Sequence, residues 1–133
     1  AGIVQAEERI DLAAMVKADS RRVELNEAMA DVFDQVDVVL AATNPSTAFD
    51  ADGRLPSVFG GRASDPGNNG ALTTPANIYG SPAISVPAGQ ASDGLPVGLQ
   101  ILAAHHRETL LLDLALAWEA ASPWPLVAPS ALV

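Results

Sequence analysis

Apolar and charged positions first recur at helical spacing between Gln5 and Val36. Leu25, Met29, Val32, Phe33 and Val36 fall on one face, while Glu24, Glu27, Asp31 and Asp34 take the other. No Gly or Pro stands between Ile3 and Asn44. The spacing predicts helical structure over residues 5–36, either as one helix or as two with a break near Asp19-Ser20. Val38-Val39-Leu40-Ala41-Ala42 is a short unbroken apolar run. That pattern suits a strand over 38–42 buried on both faces of an α/β sheet. Thr43-Asn44-Pro45 ends it.

Residues 44–70 then form a long variable loop, punctuated by Asp52-Gly53, Gly60-Gly61, Asp65-Pro66-Gly67 and Asn68-Asn69-Gly70. Loops of that length in a compact domain usually recognise something or move. A short helix is expected within Ala71 to Tyr79, with Pro75 limiting its start. Two strands follow, at 83–87 and 96–102, and the turn between them (Gly89 to Gly94) favours antiparallel pairing. A last helix is expected over 107–121. Its apolar face is Leu111, Leu114, Ala115, Trp118 and Ala121, and Glu108 sits in its first turn, where the helix dipole favours negative charge. Ser122-Pro123 stops it, and Pro125 and Pro129 keep the tail extended. The whole of residues 1–133 reads as one unit, without internal repeats.

Composition narrows the field of functions. The formal charge is -9 and the pI about 4.3, so the surface repels phosphate backbones and anionic lipid heads. No nucleic-acid partner and no membrane partner are expected. No apolar run approaches the roughly 20 residues of a membrane span. Residues 1–5 lack the basic start of a signal peptide. The absence of cysteine removes disulfides, thiolate metal sites and a cysteine nucleophile together. It fits a cytoplasmic setting. The chain starts with Ala, which suggests a start internal to a longer protein.

Candidate chemistry is sparse. Ser85 lies inside an apolar strand, without the G-x-S-x-G elbow that exposes a nucleophile. It reads as a strand serine whose hydroxyl bonds nearby backbone. Ser81, between Gly80 and Pro82, reads as a turn residue. His105 and His106 are the only histidines, and a general base needs both a nucleophile and an orienting group. They read as a solvated helix cap. No H-x-x-x-H or E-x-x-H spacing supports a metal. Asp50 and Asp52 in the long loop are candidates for a cation or a substrate amine. Gly60-Gly61 and the 67–70 segment fit neither phosphate-loop pattern.

One stretch is far more specific. Asn77 opens Asn77-Ile78-Tyr79-Gly80-Ser81-Pro82-Ala83-Ile84-Ser85-Val86-Pro87-Ala88-Gly89, and Gly94-Leu95-Pro96-Val97-Gly98-Leu99-Gln100 follows. This closely resembles the C-terminal block of the amidase-signature family, N-x-x-G-x-P-A-x-S-x-P-x-G, a variable turn, then G-L-P-V-G-L-Q. Arg22, the helix to Val36, Asp37-Val38-Val39-Leu40, Glu108-Thr109-Leu110-Leu111 and Trp118 also resemble the family. The block itself reads as structural. Gly80 and Gly89 permit unusual backbone, Pro82 and Pro87 bracket a strand, and Gly98 signals a bulge or a close backbone approach.

The resemblance implies an α/β fold with a mixed β-sheet flanked by helices, an incomplete part of the amidase-signature fold. It implies amide hydrolysis by a serine, a bridging serine and a lysine, with no cofactor. That machinery lies upstream of the region matched. The single lysine, Lys17, lacks the motif, and no Gly-Gly-Ser-Ser-like stretch is present. No catalytic residue is assigned. The expected partners are the missing N-terminal catalytic part and a small-molecule amide, with a homo-oligomer possible. Asp65, Asn69 and Gly70 are the expected substrate-pocket residues. In the glutamine-using A subunits of tRNA amidotransferases, an acidic substrate contact precedes L-x-x-P-x-N, and Gly70 stands there. This favours an amidase with an uncharged substrate. Two alternatives remain: the glutaminase component of a tRNA-dependent amidotransferase, and a non-catalytic interaction module descended from an amidase.

Overall fold

A computed structural model of the chain describes residues 11–125. The helical expectation for residues 5–10 and the extended tail around Pro129 lie outside the described residues. Helix α1 is Leu12–Phe33, a single helix that runs through Asp19-Ser20 without a break. Asp11 caps it by accepting the Ala14 N–H at 2.7 Å. Within it, Ser20 returns its hydroxyl to the Val16 carbonyl, and Arg22 pairs with Asp19 across one turn. Leu25, Met29 and Phe33 are half-buried, but no residue of α1 is fully buried.

Strand β1 is Val38–Ala42, followed by a two-stranded ribbon of β2 (Val58–Phe59) and β3 (Arg62–Ala63). A 3-10 turn covers Pro66–Gly70, and the short helix α2 covers Thr74–Tyr79. The loop expected to be irregular over 44–70 is thus partly ordered, because its turn residues close a ribbon and a helical turn. Pro75 occupies the first turn of α2, where no hydrogen bond is lost. Gly80 ends α2 in the left-handed region at φ 79°.

Strands β4 (Ala83–Gln90) and β5 (Pro96–Ala103) make the hairpin, and helix α3 (Glu108–Ala121) closes the described fold. The sheet order is β1-β5-β4, and both pairings are antiparallel. β4 runs three residues past Pro87, with a register shift between Pro87 and Gln90 that absorbs the proline's missing donor.

Strand alternation sorts the sheet into two faces. Ile84, Val86, Leu99, Ile101 and Ala103 point to one of them, and Leu111, Leu114 and Trp118 of α3 cover it. The indole N–H of Trp118 also donates to the Pro87 carbonyl at 2.8 Å, which ties α3 to β4. Gln100 and Leu102, both buried, point to the other face. There the Gln100 amide donates to the Leu72 carbonyl at 2.9 Å, fixing the approach to α2.

β1 departs from expectation. It pairs on one side only among the described residues, and Leu40 is 60% exposed. A continuous apolar run reports burial on both faces only where layers cover both, and here the outer half of β1 is uncovered. No helix among the described residues is long and apolar enough to cross a membrane.

Candidate functional site

The ends of β1 and β5 meet at one edge of the sheet. Thr43 donates its N–H to the Gly98 carbonyl at 3.0 Å, and its hydroxyl shares a 2.6 Å hydrogen bond with Ser85. The two hydroxyls reach each other over the backbone of β5 at Gly98. A Cβ on Gly98 would lie 2.6 Å from Thr43 Oγ1 and 2.7 Å from Ser85 Oγ. Only glycine leaves room for that bridge. Ser85 therefore bonds a side chain across the sheet, where the sequence suggested local backbone. The close approach expected at Gly98 is present.

Beyond the bridge the chain leaves the sheet and walls a cleft of about 490 Å3. Residues 44–49 form its wall, and Ala42, Asn69, Pro96, Val97 and Gly98 complete the lining. That size falls within the roughly 300–1,000 Å3 of small-molecule sites. Among the described residues no charged side chain lines it. Its polar groups are Asn44, Ser46, Thr47 and Asn69, set among Pro45, Phe49 and Pro96. Asn69 is held by its amide N–H groups, which donate to Pro66 O at 2.6 Å and Pro56 O at 3.2 Å.

The other two expected pocket residues do not line this cleft. Asp65 caps the 3-10 turn, accepting the Gly67 N–H at 2.7 Å. The Gly70 carbonyl accepts the hydroxyls of Thr73 and Thr74 at 3.1 and 2.8 Å. A Cβ at Gly70 would meet nothing closer than Thr74 Oγ1 at 3.9 Å, so a side chain fits there. Asp50 and Asp52 lie beyond the cleft wall in an exposed turn closed by the Gly53 N–H to Asp50 O bond.

Asp93 carries no site signal in the sequence, yet it anchors the wall. Its Oδ2 accepts the Thr47 hydroxyl at 2.8 Å, and its Oδ1 accepts the Leu95 N–H at 3.0 Å. The Leu95 N–H and then the Thr47 hydroxyl hold the Asp93 carboxyl below its ordinary value. Asp93-Gly94 reads as turn chemistry in sequence, and nothing in that signal points 46 residues back to Thr47.

The remaining candidates are structural here. His105 stacks on Tyr79, with ring centroids 4.2 Å apart, and a ring nitrogen bonds the Tyr79 carbonyl at 2.8 Å. His106 adopts φ 62° in the turn before α3. Among the described residues no serine is hydrogen-bonded to Lys17 or to a histidine, and no cluster of three metal-ligating side chains occurs.

The amidase family model matches residues 2–112. The chain belongs to the amidase family. It is 42% identical over 106 residues to the A subunit of the glutamyl-tRNA(Gln) amidotransferase of Listeria monocytogenes, a match covering 77% of this chain and 20% of that protein. The corresponding protein from Thermosynechococcus vestitus is 37% identical over 109 residues, covering 82% of this chain and 22% of that protein. Among solved structures, a bacterial aryl acylamidase of the amidase-signature enzymes matches with a TM-score of 0.80 and 31% identity, over 91% of this chain and 25% of that one. The Thermotoga maritima counterpart of the amidotransferase A subunit matches with a TM-score of 0.67 and 33% identity, over 84% of this chain and 23% of that one. The chain thus spans about a fifth of the length of the curated relatives it matches. The amidase-signature architecture, α/β with an antiparallel hairpin in its sheet, is established on these grounds.

Proposed function

We propose that this chain is the C-terminal, pocket-lining part of an amidase that hydrolyses carbon–nitrogen amide bonds. The serine, bridging serine and lysine that perform the reaction lie upstream, and the chain alone is inactive. One observation carries the substrate side of this reading: the cleft at the β1–β5 edge is lined by amides, hydroxyls and apolar side chains, with no charge. Such a lining suits a neutral amide with an apolar body, since an ion would lose its hydration there without a partner. The small-molecule amide and the upstream catalytic part are the partners, a homo-oligomer is compatible with the uncovered apolar surface, and the setting is cytoplasmic.

The full-length protein is expected to release ammonia from benzamide or aniline from acetanilide, while the 133-residue chain releases neither. Failure of the full-length protein on every neutral amide in such a panel would sink the reading. The glutaminase component of an amidotransferase is the second reading, favoured by the 42% identity to the Listeria protein. Gly70 argues against it, because it stands where the resemblance implies an acidic contact for the substrate amine. Since a side chain fits at that position, Gly70→Asp is expected to raise glutamine hydrolysis relative to benzamide. Efficient glutamine hydrolysis by the unaltered protein would favour the second reading instead. A non-catalytic module is the third reading, and it requires the isolated chain to fold as a well-behaved monomer.

A further inference from the structure

The wall of the cleft is tied down at two places. At its root, Thr43 is fixed by Gly98 and Ser85. At its middle, among the described residues, Thr47 is hydrogen-bonded only to Asp93, which belongs to the turn between β4 and β5. Asn44, Pro45 and Ser46 span the interval and face the cleft. Between residues 44 and 48 the backbone N–H groups make no bond to other backbone among the described residues, so the wall has no ladder of its own. The turn, by contrast, is closed by the Ala91 N–H to Leu95 O and the Gly94 N–H to Ala91 O, both at 2.9 Å.

From this geometry we infer that Asp93 is a positioning residue for the cleft, latching the wall at 44–48 to the hairpin turn through the Thr47 hydroxyl. The Leu95 N–H aims one carboxylate oxygen, which leaves the other directed at Thr47. A charged acceptor makes the stronger hydrogen bond, which suits a tie exposed to competing water. Asp93 acts on the lining through Thr47. Its effect on a ligand is therefore indirect: it fixes where the polar groups of Asn44 and Ser46 stand. The functional part of the inference rests on the cleft being the substrate site proposed above.

The test uses the full-length protein with a nitroxide attached through Ser46→Cys in a background free of other cysteines. Asp93→Ala and Thr47→Val each remove the latch, and Thr47→Ser retains it. The nitroxide's rotational correlation time is expected to fall roughly threefold in the first two variants and to stay at the parent value in Thr47→Ser, the scale one hydrogen bond supports. Unchanged spectra in both latch-less variants would overturn the inference. Without the label, Asp93→Ala is expected to raise KM for benzamide about fivefold with kcat within about twofold, and Asp93→Asn, which keeps an acceptor for the Thr47 hydroxyl, to raise KM less. A loosened wall with an unchanged KM would leave the latch standing and remove the cleft from substrate binding, which separates the two failures.

Discussion

The β4–β5 hairpin with α3 and the long helix α1 both carry apolar stripes but reach opposite ends of the burial scale, and they differ in charge: α1 has seven charged residues, the strands of the hairpin none. Val86, Ile101, Ala103 and Leu111 form a buried cluster, and Val38, Ile84, Leu99 and Trp118 pack against it. Helix α1 has 22 residues and buries none of them fully, with Leu12 at 76% and Met15 and Val16 at 58% exposure. The hairpin satisfies its own apolar face because α3 returns directly onto it. Helix α1 leans mainly on the six-residue α2. Most helical stability in proteins comes from packing an apolar face, so α1 is the part of this chain that needs neighbours. The lesson is that an apolar stripe does not by itself make an element self-sufficient. What counts is whether the next element comes back to cover the stripe.

The sharpest way to break this comparison is to empty the hairpin side. Leu111→Ala removes a side chain that is 3% exposed in the centre of the cluster. A loss of about 3 kcal/mol is expected from transfer and cavity terms, read from urea unfolding of the full-length protein. A loss below about 1 kcal/mol would mean the cluster is not the core. Next in size is Gly98→Ala, whose Cβ would enter the Thr43–Ser85 bridge. Overpacking of this kind costs about 2 kcal/mol and should lower the thermal midpoint. Adding Ser85→Ala and Thr43→Ala should recover part of that loss, because both offending oxygens are then gone. No recovery would place the strain elsewhere.

On the other side, Leu12→Ser with Met15→Ser should change the stability of the 133-residue chain by no more than about 0.5 kcal/mol. The same pair should reduce its self-association in sedimentation, because it removes exposed apolar surface. A large destabilisation would show that α1 is held by contacts within the chain after all.

The hairpin is legible in sequence because its signals are local and agree. Apolar alternation, Pro87, the Asp93-Gly94 turn and the glycine at 98 each restrict the same few residues. The long helix is legible in type, but the number of helices is not. Asp19 and Ser20 are weak helix formers, and here an ion pair with Arg22 and a hydroxyl bond to Val16 O are accommodated without a break. The exposure of β1 is not legible, since an apolar run states what a strand tolerates and not what covers it. The cleft is the least legible feature. Of the three residues expected there, Asn69 lines it, while Asp65 and Gly70 are engaged in local turn bonds. Its wall at 44–49 belongs to the long loop over 44–70 that reads as recognising something or moving, whereas its anchor at Asp93 reads as an ordinary turn. The anchor's meaning arises only when positions far apart in the chain meet.

The smallest expected effect is also the one that separates the two regions by chemistry. The hairpin core is apolar and indifferent to acid, whereas one of the two ties on the cleft wall is a carboxylate. Asp93 is held below its ordinary value, first by the Leu95 N–H and then by the Thr47 hydroxyl. A carboxyl depressed on folding contributes fully above its unfolded value and loses that contribution as pH falls through the lower folded value. The latch should therefore be constant from neutral pH down to the ordinary aspartate range and fail only below it. A carbon-detected titration of the Asp93 carboxyl follows this directly. Thr47→Val is expected to move the midpoint up towards the ordinary value without reaching it, because the larger influence, Leu95, remains. A midpoint unmoved by Thr47→Val would show that the hydroxyl does not hold the carboxylate in solution, and the wall would then owe its position to Thr43 and Ser85 alone.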